Sequence, residues 1–167
     1  MITFDQAQKK DIEIIRNLAR EIWYSHYTSI ISTQQIEYML QKMYACETIQ
    51  EELNQGYCWD LIKINNKPVG FVSYNSETDG LKRTMKLNKL YILIEYHGKG
   101  IGQEALAHVK GKAVSKKANK LYLTVNKANK KAISAYLKFG FSTEMDIITN
   151  IGNGFVMDDY IMALHIK

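Results

Sequence analysis

Residues 97–102 read His-Gly-Lys-Gly-Ile-Gly, and this is the stretch of the chain best suited to holding an anion. Glycine lets the backbone approach a ligand and take positive φ, while the N–H groups of a helix's first turn have no intrahelical partner. Main-chain amides can then hold a phosphate without a cationic side chain. The reading requires a strand ahead of the loop, over 86–92, and a helix behind it, over 101–117. Two better-known phosphate loops are excluded. No Gly-Lys-Ser/Thr ending follows, and the glycines stand at 98, 100 and 102 instead of in G-x-G-x-x-G order with a second βαβ unit. An ordinary glycine turn between strand and helix is the alternative, so the loop alone does not decide.

Other chemistry is sparse. His26, His97, His108 and His165 lack the spacing of a metal site, and Cys46 and Cys58 form no CxxC pair, so no metal and no disulfide is expected. The net charge is +5, and its distribution says more than its total. Lys110, Lys112, Lys116, Lys117, Lys120, Lys127, Lys130 and Lys131 follow the glycine loop, whereas Glu37, Glu47, Glu51 and Glu52 precede it. A basic flank beside a phosphate loop suits a multiply phosphorylated ligand, and each lysine taken singly also suits a solvated face. A nucleic-acid partner is not expected, because aromatic residues are not interleaved with the lysines and no recognition motif is present.

With 167 residues, 46% of them hydrophobic, the chain can build one compact core, and a single domain over 1–167 is expected. No apolar run is long enough to span a membrane, and the start lacks a basic segment followed by an apolar one, so a cytoplasmic protein without membrane attachment is expected. A strand over 2–4 precedes a helix marked by Ile12, Ile15, Ala19, Ile22 and Trp23. Ser32 with Gln35 forms a capping box ahead of Ile36, Met39, Leu40 and Met43; Thr48 with Glu51 forms another, and these two helices end at Gly56. Runs 57–64 and 69–74 make a hairpin around the turn 65–68, and a turn at 78–80 leads into 82–92. In that last run Met85 and Leu87 share one face, but Leu90 and Ile92 share the other. The strand is therefore either buried on both sides or bulged by an extra residue. After the loop, Ile101, Ala105, Val109 and Ala113 mark a helix face, and 121–125 reads as a buried parallel strand, completing a βαβ unit. A turn at 126–129, a helix over 132–139 closed by Gly140, and strands 141–146 and 155–164 around a loop at 149–154 finish an α/β chain.

The order strand, His-Gly-Lys-Gly-Ile-Gly, helix, strand, then Asn129-x-x-Ala132-x-x-x-Tyr136-x-x-x-Gly140-Phe141, resembles the GNAT superfamily of acyl-CoA-dependent N-acyltransferases. The resemblance extends from Ile2 to Ile166. Within it, 57–74, 90–102 and the ending Asp158-Asp159-Tyr160-Ile161-Met162 look most like the bacterial diamine and polyamine acetyltransferases. It implies a mixed, twisted central sheet with splayed fourth and fifth strands, flanked by four or five helices. The cofactor it implies is acetyl-CoA. The N–H groups of His97, Gly98, Lys99, Gly100, Ile101 and Gly102 would cradle its pyrophosphate, and Tyr91 and Ile92 would pair their backbone with the pantetheine arm. Asn129 would contact that arm, with Ala132 beside it, and Tyr136 would lie near the thioester sulfur. There its hydroxyl could protonate the leaving thiolate, while a backbone N–H at the bulge stabilises the oxyanion. A small amine would bind between 23–31 and the final hairpin, with Tyr24, His26, Tyr27, Asp158 and Asp159 as candidate substrate residues.

Two departures bear on this. His97 stands where many relatives have Gln or Arg, and a contact made through the backbone tolerates the change. Asn88 stands where several relatives have a glutamate that activates the amine, and an amide cannot accept that proton. The base is left among Asp158, Asp159, Glu95 and His26, or is dispensable for an amine that arrives partly deprotonated. An N-acetyltransferase acting on a small primary amine is the leading reading. A protein or peptide N-terminus as acceptor and a non-catalytic acyl-CoA-binding module are the alternatives, and a homodimer is left open.

Overall fold

The computed structural model describes every residue, 1–167. In chain order its elements are β1 (Ile2–Gln6), α1 (Ile12–Tyr27), α2 (Thr33–Met43), α3 (Cys46–Asn54), β2 (Cys58–Ile64), β3 (Lys67–Asp79), β4 (Lys82–Ile92), α4 (Ile101–Ser115), β5 (Lys120–Asn126), α5 (Lys130–Phe139), β6 (Ser142–Gly152) and β7 (Phe155–His165). The seven strands form one mixed sheet in the order β1-β2-β3-β4-β5-β7-β6, with β4 parallel to β5. This is the expected α/β architecture with five helices. No helix is long and apolar enough to cross a membrane. The chain divides into two compact units, Met1–Asn75 with Lys89–Ala105, and Ser76–Asn88 with Leu106–Lys167.

In the first unit α1 buries the anticipated stripe, Ile12, Ile15, Ala19, Ile22 and Trp23, together with Leu18 and Tyr27. At the start of α2 the Gln35 N–H donates to Ser32 Oγ at 3.1 Å, as the capping pattern predicts. The second predicted cap does not form. α3 opens earlier than a cap at Thr48 would allow: its N-cap is Ala45, and Thr48 lies inside the helix with its hydroxyl donating to Lys42 O at 3.3 Å. The reason is tertiary. Tyr44 is buried in the short link between α2 and α3, its carbonyl accepting from Arg16 Nε at 2.9 Å and its hydroxyl from the Trp23 indole at 3.3 Å. Anchoring Tyr44 fixes where the next helix starts.

The β2–β3 turn is tighter than 65–68. Asn65 and Asn66 both take positive φ, 49° and 68°, the requirement of a two-residue hairpin turn. Lys67 and Pro68 therefore belong to β3, and Pro68 faces Lys63 at a register irregularity, where a missing N–H is tolerated.

At the C-terminal end of β4 both faces are partly buried. Leu90 and Ile92 pack with Ile62, Val69, Ile101 and Ala105, while the Tyr91 ring turns to the other side against Trp23 and Phe71, at 5.7 and 5.8 Å between centroids. The backbone also passes close to β3 here. A Cβ placed on Gly70 would stand 2.3 Å from Tyr91 O. Since Cβ atoms project out of the pleat, that carbonyl lies over the sheet face instead of in the plane of the ladder, where the sequence pattern allowed for a bulge.

In the second unit α4 buries Leu106, Val109 and Ala113, and β5 buries Leu121, Leu123 and Val125. α4 ends at Ser115, short of the predicted 117. Lys117 takes φ 58°, and the N–H groups of Lys117 and Ala118 fold back onto the carbonyls of Val114 and Ala113, each at 2.9 Å. The expected loop at 149–154 is strand through Gly152, turning on Asn153 and Gly154 alone. β6 is the outer strand of the sheet and mostly exposed, so no burial pattern marks it in sequence; its state is set by pairing with β7.

Two glycines separate close approach from chain flexibility. Gly70→Ala should destabilise the fold by about 1–3 kcal/mol, because the methyl group meets backbone. Gly111→Ala, exposed in α4 with nothing near its Cβ position, should stabilise it by about 0.5–1 kcal/mol. Urea midpoints of the two variants, shifting in opposite directions, are the check.

Candidate active site

The loop after β4 begins with a single helical turn over Ile94–Tyr96. Gly98 and Gly100 then take φ of 75° and 80°, and a Cβ at either position would meet nothing within 4 Å. Both need glycine for its conformation, and both leave open the space beside the main chain that a side chain would fill. Gly102 differs. It lies within α4, and a Cβ there would make only an ordinary 3.9 Å contact with Ile92 Cδ1. The α4 ladder begins when Glu104 N–H donates to Gly100 O at 3.1 Å, so the Ile101 and Gly102 amides precede it at the positive end of the helix dipole. Lys99 adds charge, its Nζ 5.2 Å from the Tyr96 ring centroid, with Lys67 Nζ 5.9 Å from the same ring.

His97 contributes more than its backbone. Its Nε2 lies 2.7 Å from Ile92 O, and because a carbonyl only accepts, Nε2 carries the proton. The ring ties the loop to the end of β4. Two of the acceptor-side candidates gather here: Tyr27 and Tyr91 share a hydroxyl hydrogen bond of 3.1 Å, and the His26 ring is 5.0 Å from Tyr27 and 6.4 Å from His97. Tyr24 is directed elsewhere. Its hydroxyl donates to Glu37 at 2.5 Å, and Arg20 donates to both oxygens of the same carboxylate, at 2.8 and 3.2 Å. The hydrogen bond to Glu37 raises the Tyr24 pKa, while Arg20 first, and then Tyr24, lower that of Glu37. Glu95 is exposed on the single turn before the loop.

Lys89 is a residue that sequence reasoning missed. It is only 8% exposed, with Nζ 4.9 Å from the Trp59 ring, 5.7 Å from the Tyr44 ring and 4.0 Å from Glu52 Oε1. Burial raises the Glu52 pKa and Lys89 opposes the rise. A signal was present: Lys89 continues the inward alternation of Met85 and Leu87, although lysine in a strand ordinarily reads as surface.

In the second unit Asn129 is buried and caps α5, accepting from Ala132 N–H at 3.3 Å. α5 starts at Lys130, ahead of the predicted 132, because that cap sets its origin. Tyr136 is half-buried on α5 with its ring inclined at 62° to that of Phe141, centroids 5.8 Å apart. The two neighbouring aspartates do not act together, since successive strand residues point to opposite faces. Asp158 is exposed and pairs at 2.9 Å with Lys127, which also reaches Asp146 at 3.0 Å; these carboxylates raise the Lys127 pKa. Asp159 is 8% exposed, and its Oδ1 is sealed from solvent with no hydrogen-bond partner. Burial, then Asp158, raises its pKa, and Lys127 partly opposes them.

The model of the acetyltransferase (GNAT) family matches residues 13–141. Spermidine N(1)-acetyltransferase of Thermoplasma acidophilum is 26% identical over 154 residues, covering 89% of this chain and 91% of that protein. Among solved structures, the PaiA N-acetyltransferase of Thermoplasma acidophilum in complex with coenzyme A superposes with a TM-score of 0.84 at 23% identity, over 99% of each chain. Naa50 of Arabidopsis thaliana in complex with the bisubstrate analogue CoA-Ac-MVNAL does so with a TM-score of 0.70 at 22% identity, also over 99% of each. The chain belongs to the acetyltransferase (GNAT) family. It is an acetyl-CoA-dependent N-acetyltransferase by that membership, and no atom lies within 4 Å of where a Cβ on Gly98 or Gly100 would stand, so the loop does not obstruct a bound anion.

Gly100→Val would place a branched side chain in the cradle at a φ it resists, so coenzyme A affinity should fall roughly tenfold or more. Calorimetry on the folded variant checks this; an unchanged affinity would remove Gly100 from the site.

Proposed function

We propose that this enzyme acetylates a primary amine of a small molecule, with polyamines as the acceptor class. The observation that carries the reading is Asp159, a buried carboxylate with an unpartnered oxygen, which suits an acceptor's ammonium. Asp158 already has Lys127 as its cation. The spermidine acetyltransferase among its relatives supports the same class. On this reading the whole chain is one transferase domain.

The roles are those that membership of the family implies. The amides of the loop from His97 to Gly102 hold the pyrophosphate, Tyr91 and Ile92 offer backbone groups to the pantetheine arm, and Asn129 and Ala132 flank it. Acetyl-CoA supplies the activated acetyl thioester. Tyr136 gives its hydroxyl proton to the departing sulfur, and His26 and Tyr27 line the acceptor side beside Tyr91.

Thiol release should be fastest with spermidine and related diamines, slower with an uncharged arylamine, and slow with a peptide N-terminus. Preference for the peptide would move the acceptor to proteins, and no release with any amine would favour a binding module. Tyr136→Phe keeps the ring and removes the proton, so kcat should fall roughly 10²–10⁴-fold with coenzyme A affinity unchanged. A fully active folded variant would refute the acid role.

A further inference from the structure

An amine acceptor arrives at neutral pH as an ammonium, and it cannot attack a thioester until one proton has left. Asn88 cannot take that proton. Several other carboxylates are already committed: Glu37 to Arg20 and Tyr24, Glu52 to Lys89, Asp60 to the Tyr74 hydroxyl at 2.8 Å. Asp146 and Asp158 share Lys127. Asp159 is the carboxylate that combines burial with an oxygen lacking any hydrogen-bond partner.

Its placement links it to the acid. Asp159 lies on β7 directly opposite Asn126, the last residue of β5, and on its other side opposite Ile147 of β6. The chain turns at Asn126: its carbonyl accepts from Asn129 N–H at 2.9 Å and its Oδ1 from Ala128 N–H at 2.9 Å. Lys127 N–H donates to Asp158 O at 3.1 Å. The turn that leads into α5 and Tyr136 is thus hydrogen-bonded to the strand that carries Asp159.

Resting on the amine-acetylation reading above, we infer that Asp159 is the base that deprotonates the acceptor ammonium. Two protons leave the nitrogen in all. Asp159 takes the first and later releases it to water. The freed lone pair forms the bond to the acetyl carbon, the carbon–sulfur bond breaks with its electron pair on sulfur, and Tyr136 protonates the sulfur. The second N–H proton restores the Tyr136 hydroxyl. The charged groups acting on Asp159 are Asp158 on its own strand and Lys127 on the turn; its cross-strand neighbours Asn126 and Ile147 are uncharged. Burial and Asp158 together raise its proton affinity toward the range a base needs.

The test compares spermidine with aminoacetonitrile, a primary amine already neutral at pH 7, in wild type and Asp159→Asn. Coenzyme A affinity by calorimetry, expected unchanged, confirms that the variant is folded. At pH 7 kcat/KM for spermidine should fall roughly 10²-fold or more and recover as pH rises, while turnover of aminoacetonitrile changes little. An equal loss for both amines at every pH, or no loss for either, would overturn the assignment. If Asp159→Asn does not bind coenzyme A, Asp159→Ser carries the same comparison. Wild-type enzyme inactive on every small amine would overturn the acceptor reading itself, which is a separate result from any behaviour of the variants.

Discussion

The end of β4 depends on one close approach, the Tyr91 carbonyl over Gly70. Because no side chain occupies that space, the strand can depart from a regular ladder while keeping both faces covered. The Tyr91 ring joins Trp23, Tyr27 and Phe71 on one side, and Leu90 and Ile92 join the aliphatic cluster of Ile62, Val69, Ile101 and Ala105 on the other. The Ile92 carbonyl is then placed to accept from His97, and the loop that follows is anchored at its first residue. A larger residue at position 70 would disturb the strand, and with it the aromatic cluster and the start of the glycine loop.

Charge is handled in two opposite ways. Lys89 is buried but satisfied, its ammonium set against the faces of Trp59 and Tyr44 with Glu52 nearby, so its desolvation is offset within the protein. Asp159 is buried with one oxygen unsatisfied, which costs folding free energy unless a ligand supplies the missing donor. Its neighbour Asp158 shows the contrast, exposed and neutralised by Lys127.

Much of the architecture was legible from pattern. The stripe of α1, the βαβ unit around the glycine loop, the cap at Ser32 and the closing hairpin all follow from periodicity and local turn chemistry, which act over a few residues. The failures share a cause. The start of α3 is set by the burial of Tyr44, the length of β6 by its pairing with β7, and the inward course of Lys89 by ring faces brought from β2 and from the link after α2. None of these forces lies within the window that a local pattern samples.

For the site, sequence by itself determined the family, the glycine loop between β4 and α4 and the residue types available for acid chemistry, because glycine conformations and helix starts are encoded locally. Only the tertiary structure separated residues that look alike in sequence. Tyr24 serves Glu37 while Tyr27 meets Tyr91, and Asp158 meets Lys127 while Asp159 is sealed without a partner. Adjacent strand residues face opposite sides of a sheet, and which side is buried depends on elements distant in the chain.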